Sequence, residues 1–200
     1  MPLSSIKRAF ALLILSSLIA LASQNFVIKN DNLLPKKTVD KINEIGNELY
    51  QKTGVGVYVA VAEEMDTKRI KPYEERLAKT LRPPYILLTL VRKAQKVDIV
   101  ASRDAQNLIR KDEILSPLPW KGSIIPLLTA HFKDKKAAIE AAILNGYAEI
   151  AEQVAAAKGI KLKSALGNVN RDIYYWLRML FYSILALIFL NYIYRRFIKK

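Results

Sequence analysis

The apolar run from Ile173 to Tyr194 constrains the chain more than any other segment. It is about long enough to cross the hydrocarbon core of a bilayer as a helix. Tyrosine and tryptophan side chains lie near its ends, as they do at the two interfaces of a membrane. The run therefore predicts a single transmembrane helix over 173–194, which follows a polar linker over 159–172.

The segment after this run predicts its orientation. Four of the last six residues are arginine or lysine, and short basic segments beside a membrane helix remain in the cytoplasm. We therefore expect residues 195–200 to form a cytoplasmic tail. The part of the chain that precedes the helix is then expected to lie on the opposite side of the membrane.

The amino-terminal segment resembles a secretory signal peptide. Lys7 and Arg8 precede an apolar run from Ala9 to Ala22 that ends in Ala-Leu-Ala. The run is shorter than the roughly 20 residues that a spanning helix needs, so a signal peptide over 1–22 is favoured over an uncleaved anchor. The two ends together predict a protein of the bacterial inner membrane with its domain in the periplasm.

The positive charge of the chain does not predict a nucleic-acid partner. The formal net charge is +14, but residues 23–170 carry 24 basic and 17 acidic side chains, a net charge of +7. The other half of the excess lies at the two ends, where it indicates topology. The domain has no basic run interleaved with aromatic residues, and the absence of cysteine excludes disulfides and thiolate metal sites.

Hydrophobic patterning between residues 23 and 158 alternates between helix and strand, which predicts one α/β domain. The strand "VGVYVAVAEE" is apolar enough to be covered on both faces. The stretches "YILLTLVRK" and "KVDIVASRD" form a predicted antiparallel hairpin. The predicted elements are a strand over 25–30, a helix over 35–54, a strand over 55–64, a helix over 71–81, hairpin strands over 85–93 and 96–104, a short helix over 124–132 and a long helix over 134–159.

The stretch "DNLLPKKTVDKINEIGNELYQKTGVGVYVAVAEE" resembles the opening of the TPM domain family of bacterial envelope and thylakoid-lumen proteins. A Leu-Leu pair, a helix, Thr-Gly-Val and an apolar strand occur in that order. The resemblance extends from Phe26 to Leu162 and includes the closing anchor. It implies an exported, membrane-tethered α/β/α sandwich around a small mixed sheet. It also implies a role in the assembly or repair of membrane complexes, with weak acid-phosphatase activity and calcium binding in some members.

The segment Arg82-Pro83-Pro84-Tyr85 departs from that family. Members typically place an acidic residue or asparagine, followed by Gly-Val, before the first hairpin strand, where carboxylates can approach a cation or a phosphoryl group. Here a cation stands near that position, and two prolines remove N–H donors. We therefore expect Arg82 and Tyr85 to contact a partner or lipid headgroups; a stiff turn with no further role is the alternative.

No complete catalytic set is found in the sequence. The single histidine, His131, is not accompanied by a Gly-x-Ser-x-Gly motif, and no phosphate-binding glycine loop is present. A metal-dependent acid phosphatase is the alternative function, and its acids would come from a pool in which ordinary solvated or ion-paired carboxylates are also expected. That pool is Glu63, Glu64, Asp66, Asp98 and Asp104.

The favoured function is therefore a membrane-anchored periplasmic accessory protein that requires no cofactor or metal. It is expected to dock on, stabilise or help assemble a membrane protein complex. Polar groups in lipid are costly unless they are paired. We therefore expect one face of the anchor, with Arg178, Tyr182 and Asn191, to contact a helix of that complex.

Overall fold

The computed structural model describes residues 24–130, 134–165 and 169–193. They form an α/β fold in which helices pack against a four-stranded mixed sheet, so the predicted α/β class and the small mixed sheet are confirmed. The predicted signal peptide over 1–22 and the predicted tail over 195–200 lie outside the described residues.

The order of elements follows the predicted alternation of helix and strand. Gly54 ends the first helix in the left-handed conformation, with φ of 72°. The elements are β1 (Val27–Asn30), α1 (Lys36–Thr53), β2 (Gly56–Ala62), α2 (Thr67–Thr80), β3 (Tyr85–Val91), β4 (Lys96–Ala101), a 3-10 turn (Gln106–Leu108), α3 (Lys111–Ile114), α4 (Ile125–Thr129), α5 (Lys135–Ala157) and α6 (Val169–Ile193).

The strands lie in the order β1, β2, β3, β4. β2 is parallel to both β1 and β3, and the predicted hairpin forms the antiparallel pair β3 and β4. Gly56 is in register with Tyr85, and Ile86 is in register with Ala101. The beginnings of β2 and β3 and the end of β4 therefore lie at the same edge of the sheet.

Alternate residues of the two central strands face different helices. Val57, Val59 and Val61 of β2 belong to the main core, which α1 and α5 complete. Ala62 and Val91 instead pack with Ile70 of α2. Because both faces of β2 and β3 are covered, their near-continuous apolar sequence is accounted for.

α1 and α5 approach closely where Gly46 of α1 faces Tyr147 of α5. A Cβ at residue 46 would lie 2.4 Å from the Tyr147 hydroxyl oxygen and 2.5 Å from the Phe26 ring. The buried Tyr147 hydroxyl donates a hydrogen bond of 3.0 Å to the Val57 carbonyl of β2. This contact joins both helices to the central strand.

α6 covers most of the segment for which the sequence predicts a transmembrane helix. Within the described residues, no helix combines the length and hydropathy of a candidate membrane span. The structure therefore does not support the predicted span over 173–194, of which Tyr194 lies outside the described residues.

The packing of α1 against α5 predicts the effect of a small substitution. Gly46→Ala should lower the free energy of unfolding by about 1–3 kcal/mol, since the new methyl group overpacks the contact with Tyr147. Helix propensity alone would favour alanine by about 1 kcal/mol. Urea unfolding followed by circular dichroism measures the change. The exposed Lys37→Ala on the same helix is the control, and a stabilised Gly46→Ala variant would contradict the close packing.

Candidate functional site: a pocket at the exit edge

Both ends of the domain are held by the last turns of α1. Near the amino end, the Gln24 N–H donates to Asn47 Oδ1 at 3.0 Å. Near the carboxyl end, Lys52 Nζ donates to the Lys161 carbonyl at 3.0 Å, and the Lys163 N–H donates to Glu48 Oε1 at 2.7 Å. The segments that lead toward the two apolar runs therefore leave the domain together. We call this side of the domain, where β2 and β3 begin, the exit edge, and the opposite side, where they end, the far edge.

Glu48 is the main ionic contact of this arrangement. Its carboxylate accepts hydrogen bonds from the N–H groups of Lys163 and Ser164 and pairs with Lys52 at 2.6 Å. Burial raises the pKa of the Glu48 carboxyl, but these hydrogen bonds outweigh burial and lower the pKa to about 2. The segment after α5 is thus fixed to α1 by an ionised group.

The Arg-Pro-Pro-Tyr segment also lies at the exit edge. The Gly56 N–H donates to the Pro84 carbonyl at 3.0 Å, and Ser102 exchanges hydrogen bonds with the backbone of Tyr85 at 3.0 and 3.1 Å. The peptide bond between Pro83 and Pro84 is cis. These bonds fix the entrance of β3 between β2 and β4 and leave Arg82 exposed in front of it.

Arg82 lines a cavity of about 330 Å³. Within the ranges that the structure describes, no carboxylate forms an ion pair with Arg82. We call this cavity the Arg82 pocket. Its other polar lining residues are Gln24, Asn25, Tyr50, Tyr58 and Thr80.

Two tyrosines form the inner wall of the Arg82 pocket. The ring of Tyr58 packs against Phe26, with the centroids 5.4 Å apart, and Phe26 also contacts Tyr50 at 6.3 Å. Burial raises the pKa of Tyr58, the neighbouring Tyr50 raises it further, and the positive charge of Arg82 partly offsets both. The Tyr58 hydroxyl therefore stays protonated and can donate a hydrogen bond at neutral pH.

The five acids of the alternative phosphatase site do not come together in one cluster. Glu63 pairs with Arg92, and Glu64 pairs with Lys93 at 2.6 Å, both at the far edge. Asp66 caps α2 there by accepting from the Lys68 N–H. Asp98 lies inside β4 and pairs with Lys111 at 2.6 Å, and Asp104 lies in the turn after β4. No group of three or more metal-ligating side chains occurs among the residues described.

The structure reveals a buried carboxyl that the sequence analysis missed. Glu74 of α2 is 3% exposed and lies near Thr89 of β3, which is in register with Asp98. In the described part of the chain, Glu74 Oε1 and Thr89 Oγ1 have no hydrogen-bond partner. Burial raises the pKa of Glu74, the charge of Asp98 raises it further, and Thr89, Lys111 and Lys71 partly offset the shift. The i, i+4 spacing from buried Ile70 was the available signal.

The three candidate contact residues of the apolar helix do not share one face. The Arg178 guanidinium lies 5.6 Å from the centre of the Tyr182 ring, so these two are neighbours. Asn191 follows Tyr182 by nine residues of continuous helix, which places it about 180° around the axis. The helical period therefore places Asn191 apart from the other two, and the expectation that these residues contact a partner stays a prediction.

A larger cavity, of about 660 Å³, lies beside the proline-rich loop after α3. Trp120 and Leu118 of this loop are 61% and 42% exposed. Arg110 and Glu113 pair across 2.6 Å at the cavity wall. The sequence gives no indication of a cavity here, and His131 lies outside the described residues.

Comparisons with known proteins give a family and one structural match. A family model described as the TPM domain matches residues 27–153. One matching solved structure is the NMR structure of BA42 from the psychrophilic bacterium Bizionia argentinensis, at 13% identity and a TM-score of 0.46. The match covers 68% of this chain and 96% of that one. A comparison with curated proteins finds no match.

The contacts of Glu48 predict a pH-dependent stability. Glu48→Gln should lower the free energy of unfolding by about 2 kcal/mol at pH 7, because it removes a charged hydrogen-bond acceptor. The lowered folded-state pKa makes this stabilisation complete above the ordinary value of 4.5 and progressively lost as the pH falls toward 2. Urea unfolding should therefore show the full deficit at pH 7 and a clearly smaller one at pH 3.

Glu44→Gln is the matched control, since it removes an exposed ion pair from the same helix and should change stability by less than about 0.5 kcal/mol. An equal deficit for Glu48→Gln at both pH values would contradict an ionic contact.

Glu74 predicts the opposite pH dependence. Its raised folded-state pKa means that the folded chain holds the proton more tightly, so wild-type stability falls as the pH rises above the ordinary value of 4.5. Glu74→Gln should therefore gain on the order of 1 kcal/mol at pH 7.5 and nothing at pH 4. Thermal unfolding at both pH values measures this, with exposed Glu75→Gln as the control. A destabilised Glu74→Gln variant at pH 7.5 would show that the folded chain needs the carboxylate.

Proposed function

The chain belongs to the TPM domain family, and from this premise we propose that it is an exported accessory protein of a bacterial inner membrane. In this proposal, α6 attaches the chain to the membrane, with the domain on the periplasmic side and the basic tail in the cytoplasm. The domain docks on a membrane protein complex and stabilises it or assists its assembly.

The observation that carries the proposal is that the first and last segments of the domain both lie at the exit edge. Asn47 holds the segment that follows the first apolar run, and Glu48 with Lys52 holds the segment that precedes α6. A domain with both connections on one side can be oriented by a membrane on that side. The far edge and the proline-rich loop then remain available to a partner.

The exposure of α6 supports attachment. Trp176, Phe181, Leu187 and Phe189 are between 59% and 77% exposed, and large apolar residues occur on every side of the helix. A helix that is apolar all round requires an apolar environment. A bilayer provides that environment for all of its faces.

The loop after α3 supports docking on a protein. Exposed tryptophan is enriched among the residues that carry most of the binding energy at protein interfaces, and Trp120 stands beside a cavity that can accept a partner side chain. Four of the five acids that a hydrolase would need are engaged in ion pairs or a helix cap. The geometry therefore favours a binding role over hydrolysis.

The proposal predicts two separable results for the full-length chain in its own membrane. Alkaline carbonate should leave the chain in the membrane fraction. Affinity purification in mild detergent should recover a stoichiometric membrane protein, and Trp120→Ala should reduce that recovery about tenfold, the effect of losing an interface anchor.

Ile28→Ala is the matched control, because Ile28 is also an exposed apolar residue but lies on the edge strand β1. Release of the wild type by carbonate would overturn membrane attachment. Equal recovery with Trp120→Ala and Ile28→Ala, or recovery of no partner from the wild type in any detergent, would overturn docking through this loop.

A further inference from the structure

We propose that the Arg82 pocket binds the phosphodiester headgroup of an anionic phospholipid. The proposal deepens the proposed function, since it rests on the exit edge facing the membrane. The ligand class follows from the donors in the pocket and from the charge of a second segment at the exit edge.

The pocket presents hydrogen-bond donors without a matching acid. In the part of the chain that the structure describes, Arg82 has no carboxylate partner. Tyr50 and Tyr58, which line the pocket together with Arg82, each carry a phenolic hydroxyl. A planar guanidinium with two phenolic donors matches the oxygen atoms of a phosphate group.

The pocket is preorganised by its surroundings. Phe26 packs against both tyrosine rings, and a Cβ at Gly56 would lie 2.6 Å from the Tyr58 ring. The backbone of Gly56 is bonded to Pro84, two residues after Arg82. The tyrosine wall of the pocket is therefore already fixed before a ligand binds, which favours binding.

A basic segment at the same edge of the domain favours a lipid as the source of the phosphate. Residues 158–165 lead from α5 toward α6 and carry Lys158, Lys161 and Lys163, all exposed, with no acidic residue. Glu48, the nearby acid that holds this segment, is already neutralised by its contacts. Basic clusters beside a membrane segment attract anionic lipids, so a phospholipid headgroup is the ligand that both the pocket and this segment accommodate.

The test measures lipid retention by the full-length chain in a neutral detergent, using native mass spectrometry and titration. The probes are short-chain phosphatidylglycerol, short-chain phosphatidylcholine and inorganic phosphate. The wild type should bind phosphatidylglycerol at least tenfold more tightly than either of the other two. Arg82→Ala should weaken phosphatidylglycerol binding at least tenfold, and Tyr58→Phe should weaken it about threefold.

Lys79→Ala is the matched control, because it removes the same charge from the exposed last turn of α2 and does not line the pocket. Its affinity should stay within twofold of the wild type, and melting curves verify that each variant is folded. Equal losses with Arg82→Ala and Lys79→Ala would overturn the pocket. Phosphate binding as tight as phosphatidylglycerol binding would assign the site to free phosphate and overturn the lipid.

The assay requires neither a partner protein nor an intact membrane. If the lipid does not bind but the chain stays in the membrane after carbonate treatment, only the proposed headgroup pocket is refuted. If the lipid binds but carbonate releases the chain from the membrane, the proposed attachment through α6 is refuted instead.

Discussion

The placement of β2 between two parallel neighbours is the constraint on which the rest of the structure depends. Parallel strands require helical crossovers, so α1 and α2 must each return the chain to the edge where the next strand begins. The entrance of β3 and the last turn of α1 therefore meet at the exit edge. Tyr147 fixes the layer above by bonding the backbone of β2 itself. The Arg82 pocket forms because the end of α1 and the entrance of β3 meet at this edge.

The main fold could be predicted from the sequence because it depends on local periodicity. Burial in the main hydrophobic core is the stable arrangement for the apolar β2 and for the apolar stripe of α1, which contains Ile42, Ile45 and Leu49. The boundaries of α2 were less accessible, since its start at Thr67 depends on the cap by Asp66. Helix geometry places Asn191 opposite Tyr182, which shows that listing polar residues is not equivalent to assigning them to a face.

The site could be predicted only at the residue where the chain departs from its family. Arg82 stood out from the pattern, whereas Tyr50 and Tyr58 come from α1 and β2 and are joined to it only by tertiary packing. Glu74 was missed for a related reason. Its burial depends on β3 and β4, which lie more than ten residues further along the chain. Acids at the far edge are paired with neighbouring cations, whereas the exit edge retains Arg82 unpaired within the described residues.

The contacts of α1 with both connecting segments also define a distance between the two edges of the domain. α1 has 18 residues, which corresponds to about 27 Å of rise, and it runs from the far edge to the exit edge. In the proposed arrangement, the exit edge faces the bilayer and the far edge would stand at least the length of α1 away from it. The proposed docking would then select partners that project about that far from the membrane, so height would act as a criterion before any side chain makes contact.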